Sequence, residues 1–390
     1  MTFRLNDQNV FDYLQRAGLW AEEDLLNGQV ELKPAKNFNL LVSLANGKKV
    51  LVKQERHSPA SEQASEFFNE WHIHQFWQTF PELMNVQGNV SSLLHFDADN
   101  AIAVFNYLGN YCDLREFYLK GNRYPEQIAI AIGTTLAAIH QATFQKAQYQ
   151  TFLQSSSVTP SAQPQPSSGI KYPSPDIFGT LPADGLKFFV LYQRFESLGE
   201  AIAHTSRQLM PCCLTHNDLK LNNILLHAEQ LSSPAHADTA RLIRFIDWER
   251  ANWGDPAFDL GTVVASYLQI WLDSLVVSQD MAIEESLKLA MTPLEQLQPS
   301  LQALIKAYFK QFPELLAQRP DFLTLTLQLT GLALIQQIQS VLQHQKTFGN
   351  NQICMLQVAK SLLCQPEAAI PTLFGTADLQ LPLPYATAHA

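Results

Sequence analysis

The sequence predicts an α+β protein in two lobes, with a small antiparallel-sheet N-lobe over residues 1–108 and a mostly helical C-lobe over residues 109–390. Three observations carry that expectation. Strand-like runs flank Asn46-Gly47, and Asn-Gly between β-rich runs is a strong hairpin signal. Apolar residues at helical spacing dominate the chain from Tyr124 onward. Between residues 213 and 261, polar clusters alternate with apolar runs too short for helices. A chain of 390 residues is long enough to give each lobe its own core.

Val10, Phe11, Leu14 and Ala17 predict a short amphipathic helix stopped at Gly18. Phe38–Leu44 and Lys49–Lys53 form the hairpin around Ala45–Lys48. A helix follows over 61–80, with Phe67, Trp71 and His74 among its packing residues. Leu93–Asn100 and Ala101–Leu108 suggest a second hairpin, and the turn Gly109-Asn110 marks the lobe boundary. Tyr124–Phe144 carries Ile128, Ile132, Leu136 and Ile139 near 3.6-residue spacing. The stretch of about 154–175 is rich in Ser, Pro and Gln and too poor in large apolar groups to offset its ordering entropy, which predicts a flexible surface insertion. Leu186–Leu209 reads as helical, and after Asp259 the helical sequence is interrupted by Pro293, Pro299, Pro313 and Pro320. Phe322–Leu342 is uncharged, but Gln328, Gln336, Gln337 and Gln339 are costly in hydrocarbon, so it reads as a buried helix.

Composition narrows the function. Hydrophobic residues make up 46% and charged residues 16%, as in a lightly charged globular protein. A net charge of −10 disfavours a nucleic-acid partner. Five cysteines, with Cys212 and Cys213 adjacent, suggest no disulfide framework and fit a reducing, cytoplasmic setting. The first residues lack the apolar core of a signal peptide.

The chemistry concentrates at 213–261. Ile224–Leu226 and Leu242–Ile246 read as two strands joined by the loop His227–Arg241. Such a hairpin brings Asn223 and Asp247 to one open end and lets Asp218 converge with them. Two carboxylates and an amide oxygen are hard ligands suited to Mg²⁺ whose shell is completed by substrate phosphates. A carboxylate just before them is where an acceptor hydroxyl needs its base.

His216-x-Asp218-x4-Asn223, then Ile246-Asp247-Trp248-Glu249, then Asp255-Pro-x-x-Asp259-Leu260 resemble the aminoglycoside phosphotransferase and choline kinase branch of the protein-kinase-like fold. The resemblance implies that Asp218 positions the acceptor hydroxyl, Asn223 and Asp247 hold Mg²⁺, and Asp259 buttresses the catalytic loop. It implies that Lys53 steadies the nucleotide phosphates with Glu70 as its helix partner, Glu66 being the rival. Phe105, Tyr107 and Leu108 would run into the hinge that meets adenine. No Gly-x-Gly-x-x-Gly precedes the first hairpin, which leaves Asn37 and Asn39 as phosphate-loop candidates beside a plain turn. Lys220 is either a γ-phosphate contact or a surface residue, and Leu221 replaces the proline that usually follows. Glu249 either touches the metal through water or pairs with Arg250.

The implied activity is transfer of the γ-phosphate of ATP to a hydroxyl of a small metabolite or antibiotic. The alternatives are a silent kinase-like binding protein and a protein kinase. The short interval from Asp247 to Asp259 leaves little room for the activation segment of a protein kinase, and Lys53, Asp218, Asn223 and Asp247 all stand, which weighs against the silent form. Asp273, Asp280, Glu284, Glu285 and Glu295 follow the catalytic motifs and either solvate a surface helix or favour an acceptor that carries an amine.

Overall fold

A computed structural model describes residues 3–25, 28–34, 37–55, 66–155, 183–227, 229, 242–276, 285 and 289–375. The proposed insertion therefore lies almost wholly outside the described residues. In chain order the first elements are α1 (Val10–Arg16), α2 (Glu22–Leu25), β1 (Gln29–Lys33), β2 (Phe38–Ser43), β3 (Lys49–Gln54), α3 (Glu66–Thr79) and α4 (Met84–Gln87). Next come β4 (Leu93–Asp97), β5 (Ile102–Asn106), β6 (Cys112–Asp113), α5 (Leu114–Gly121), α6 (Glu126–Thr143) and α7 (Ala147–Gln154). Then follow α8 (Ala183–Gln193), α9 (Glu196–Gln208), β7 (Cys213–Thr215), β8 (Ile224–Leu226), β9 (Ile243–Phe245) and β10 (Asn252–Gly254). The chain continues with α10 (Pro256–Asp273), α11 (Leu294–Gln311), α12 (Pro313–Gln318), α13 (Phe322–Gln345), α14 (Asn350–Cys364) and α15 (Pro366–Phe374).

These elements form two compact units, one built on a sheet and one on helices, the α+β class expected. The sheet unit comprises Met1–Cys112, Ala147–Ser161 and Leu225–Asn252, so the chain enters it three times. The helical unit takes Asp113–Lys146, Ala162–Ile224 and Trp253–Ala390.

The main sheet of the sheet unit has five antiparallel strands in the order β1-β2-β3-β5-β4. β2 and β3 turn through Gly47, whose φ of 81° is the left-handed conformation that glycine adopts without steric cost. Alternation then sorts side chains by face. Leu40, Val42, Val50, Val52, Ile102 and Val104 pack with Val10 and Leu14 of α1. Leu51, Ala103 and Phe105 turn to the other face, against Phe67 and Trp71 of α3. Full burial of each such aliphatic or aromatic side chain contributes about 1.5–3 kcal/mol. Two residues on from Leu51, Lys53 shares the α3 face, and this is what carries its ammonium inward. The sheet also holds a strand that the sequence reading did not separate. β1 pairs with β2 and sets Lys33 opposite Asn39, so Asn37 and Asn39 come after one strand of the sheet rather than before the first. β1 is largely exposed and lacks a clear apolar alternation, which hid it.

In the helical unit, α6 packs on α11 closely enough that a Cβ on Gly133 would overlap the Leu304 carbonyl. The interruption expected at Pro299 does not occur, and α11 runs through it. Pro293 instead caps α11, and Pro313 opens α12, sites where a missing N–H costs nothing. α13 is buried over most of its length, and Gln328 donates to the Leu363 carbonyl at 3.4 Å. Among the described residues no helix is long and apolar enough to cross a membrane.

Candidate active site

The candidate residues fall into two groups, one in each unit. In the helical unit, β7 delivers the chain to His216, and α10 receives it again after Asp255. Asp255 caps α10 by accepting from the Ala257 N–H at 2.9 Å. Fully buried, it also accepts from the Met210 N–H at 2.8 Å and pairs with Arg319 at 2.9 Å.

Asp259, on the first turn of α10, has its carboxylate wholly buried beneath the loop. Oδ2 accepts from the His216 N–H at 2.6 Å, and Oδ1 from the Asn217 N–H at 2.8 Å. Nε2 of His140 lies 3.2 Å from Oδ2, and a carboxylate partner makes that nitrogen the donor. The other ring nitrogen is 2.8 Å from the Tyr308 hydroxyl. Three donors thus converge on one anion, and two of them are consecutive loop amides. Asn217 takes a left-handed φ of 62°, which turns the next residue outward.

That next residue is Asp218. Its side chain is 18% exposed, and Oδ1 lies 3.0 Å from Lys220 Nζ. Asn223 Nδ2 donates to the Asp218 backbone carbonyl at 2.8 Å and approaches Oδ2 at 3.4 Å. The Lys220 N–H donates to the Asp218 carbonyl, and the Asn223 N–H to the Lys220 carbonyl. His216, buried, accepts a long bond from the Asp218 N–H at 3.4 Å. Asp218, Lys220 and Asn223 therefore form one closed loop.

The sheet unit gathers Lys53, Glu70 and Asp247. Lys53 Nζ lies 2.5 Å from Asp247 Oδ1 and 4.9 Å from the centre of the Phe105 ring. The ion-pair partner is Asp247 rather than Glu70, but Glu70 is near enough for its charge to act on Lys53. Burial opposes the ammonium charge, while Asp247, Glu70 and Glu249 outweigh it and raise the Lys53 pKa. Glu70, rather than Glu66, is the buried carboxylate of α3. Its Oε1 is 3.5 Å from Ser91 Oγ, and its Oε2 has no hydrogen-bond partner among the described residues. Burial drives its pKa up to about 8 against the pull of Lys53, with Asp247 and Glu249 pushing the same way as burial. Asp247 follows β9 with φ 61° and ψ 59°, a left-handed conformation rare for a residue with a Cβ.

The remaining nucleotide candidates are mixed in character. Asn39 stands in β2 directly opposite Lys53, and its Oδ1 is buried without a partner among the described residues. Phe105 is a core side chain beneath Lys53. The Tyr107 N–H donates to the Lys49 carbonyl, and the carbonyls of Tyr107 and Leu108 accept from Gly109 and Tyr111. Of the acidic residues considered for an amine, Asp273 is paired with Arg115 at 3.3 Å, and burial raises its pKa. Glu285 and Glu295 are exposed, and Asp280 and Glu284 lie outside the described residues.

Sequence reasoning missed Asn69, Tyr308 and Arg319. Asn69 and Tyr308 are polar side chains on buried helical faces, the signal that would have found them, whereas Arg319 directly follows α12 in non-helical backbone and carried no such signal.

A sheet unit carrying a strand lysine, and a helical unit carrying an aspartate loop buttressed from a helix start, define the class as protein-kinase-like. Residues 35–293 match the profile of the phosphotransferase enzyme family, APH, and the chain belongs to that family. Its fold is that of a glucosamine kinase, with a TM-score of 0.50 at 14% identity over 94% of this chain and 86% of that chain. It is also similar to the choline kinase LicA from Streptococcus pneumoniae, at TM-score 0.45 and 16% identity over 91% and 98% of the two chains. The ADP-bound aminoglycoside phosphotransferase APH(2'')-Ib gives 0.47 and 12%, over 92% and 99%. A search of curated proteins returned no match.

Proposed function

We propose that this phosphotransferase is a small-molecule kinase that moves the γ-phosphoryl group of ATP to an acceptor hydroxyl. The observation that carries the reading is the Asp218 loop. A partly exposed carboxylate is fixed by Asn223 and Lys220 and held from below by buried Asp259. Phosphoryl transfer asks for positioning and charge compensation rather than covalent chemistry, and a rigid carboxylate supplies the first.

Asp218 orients the acceptor hydroxyl and takes its proton. Lys220, paired with Asp218, becomes available to the transferred phosphoryl group when the acceptor displaces it. Lys53, kept cationic by the carboxylates around it, contacts the nucleotide phosphates, with Asn39 beside it. Glu70 lies buried beside Lys53, and the chain through Phe105, Tyr107 and Leu108 leads into the hinge that meets the adenine edge. Asp247 and Asn223 suit a hard divalent cation. Asp247 already draws a cation to its carboxylate, and Asn223 turns its amide nitrogen to Asp218, which leaves its carbonyl oxygen as a donor atom. Mg²⁺ bound by them would neutralise phosphate charge. The acceptor is a small hydroxylated molecule. Asp273 is paired to Arg115, so among the described acids of this group Glu285 and Glu295 are the exposed ones that could meet an amine on it.

The test is ATP consumption by the purified protein against alcohols, amino alcohols, sugars and aminoglycosides, with Asp218→Asn alongside. Removing the base lowers turnover by roughly 10²–10⁴-fold. Near-normal turnover by Asp218→Asn with a genuine acceptor would overturn the assignment.

A further inference from the structure

Asp247 occupies a left-handed conformation that costs a residue with a Cβ about 1–2 kcal/mol, so the surrounding chain has to hold it there. Upstream, the Phe245 N–H donates to the Asn89 carbonyl, and the Phe245 carbonyl accepts from the Ser91 N–H and from the Trp248 indole. Downstream, residues Trp248–Arg250 make a single 3₁₀ turn, closed by the Ala251 N–H on the Trp248 carbonyl, and the carbonyls of Glu249 and Ala251 follow. One side chain meets them. Asn69 of α3, only 3% exposed, donates Nδ2 to the Glu249 carbonyl at 2.8 Å and to the Ala251 carbonyl at 3.0 Å. Both partners are acceptors, so the amide orientation is fixed by chemistry.

We infer that Asn69 is a positioning residue for Asp247, tying the turn that carries this carboxylate to the helix that carries Glu70. Asn69 and Glu70 are adjacent on α3, and their tasks divide. Glu70 turns to Ser91, while Asn69 fixes the backbone that follows Asp247. Trp77, two turns along the same helix, adds an edge contact to Trp248, with ring centres 6.0 Å apart. The following turns of α3 are anchored on α7 as well. The His72 ring stacks on Phe152 of α7 at 4.8 Å, and Phe76 and Phe80 pack on Tyr149 and Phe152. α3 is therefore a braced beam, and Asn69 is its polar link to the turn.

The inference rests on the kinase reading, in which Asp247 is a metal ligand. Asn69→Leu keeps the heavy-atom count and branching of the side chain and removes both donors. Partners that orient a metal ligand typically change metal affinity or activity about 10–100-fold. The experiment titrates Mg²⁺ at a fixed concentration of a non-hydrolysable ATP analogue, following heat of binding, for the wild-type protein and Asn69→Leu. The expected result is a half-saturating Mg²⁺ concentration raised about tenfold or more, with metal-free nucleotide affinity unchanged. A merely structural role would lower the melting temperature and leave the Mg²⁺ dependence where it was. Unchanged Mg²⁺ dependence in a folded variant overturns the inference. If Asn69→Leu does not fold, Asn69→Ser, whose hydroxyl is too short to reach both carbonyls, takes its place under the same criterion. Failure of the wild-type protein to bind the Mg²⁺–nucleotide complex would overturn the kinase reading itself, a separate outcome.

Discussion

Asp259→Asn tests whether the catalytic loop is held from below. The carboxylate accepts three N–H donors, from His216, Asn217 and His140, inside a site with no solvent exposure. An asparagine offers one acceptor oxygen. It would turn that oxygen to the side of His216 and His140 and present an amide N–H₂ to the N–H of Asn217. One buried donor is then left unsatisfied, at about 1–3 kcal/mol, and two charge-assisted bonds become neutral ones, each weaker by about 1 kcal/mol. The loss is therefore roughly 3–5 kcal/mol, localised at residues 216–217. Each 1.4 kcal/mol is about tenfold in an opening equilibrium, so exchange of the His216 and Asn217 amides with deuterium should accelerate by roughly 10²–10⁴-fold. Asp218 follows directly, and a displacement of about 1 Å can cost 10²-fold in rate, so kcat should fall with exchange protection. Exchange within about threefold of wild type, together with an unchanged kcat, would refute the reasoning.

Glu70 predicts a pH dependence of stability. Its pKa in the folded protein, about 8, lies above the ordinary 4.5, so between these values the folded state binds more protons than the unfolded state. Stability therefore falls as pH rises from 4.5 towards 8 and levels off above it, and Glu70→Gln should flatten this part of a urea-midpoint profile. Arg319→Met strands Asp255 as a buried anion supported, among the described residues, by the Met210 and Ala257 amides, and should destabilise the helical unit by about 3–5 kcal/mol in urea titration. A loss below about 1 kcal/mol would mean that the two amides suffice.

Several features were legible in the sequence because their causes are local. Asn46-Gly47 fixes a turn, and alternation along Lys49–Lys53 sets which face each side chain takes. The order of polar clusters from His216 to Leu260 marks the loop because each abuts an apolar strand or a helix start. The tertiary structure alone decided what depends on distant partners. Residues 147–155 and 242–252 join the sheet unit although helical-unit sequence lies between them, since the burial of Phe152 and Trp248 against α3 rewards contacts far apart in the chain. Pro299 sits within α11 because packing of α11 on α6 outweighs a local helix-breaking preference. The choice of Asp247 over Glu70 as the partner of Lys53, and the bonds from Asn69 to the turn beyond it, rest on positions set by the whole sheet unit. Residue type and spacing can nominate such groups, but only the folded backbone brings residues this far apart in sequence within hydrogen-bonding distance.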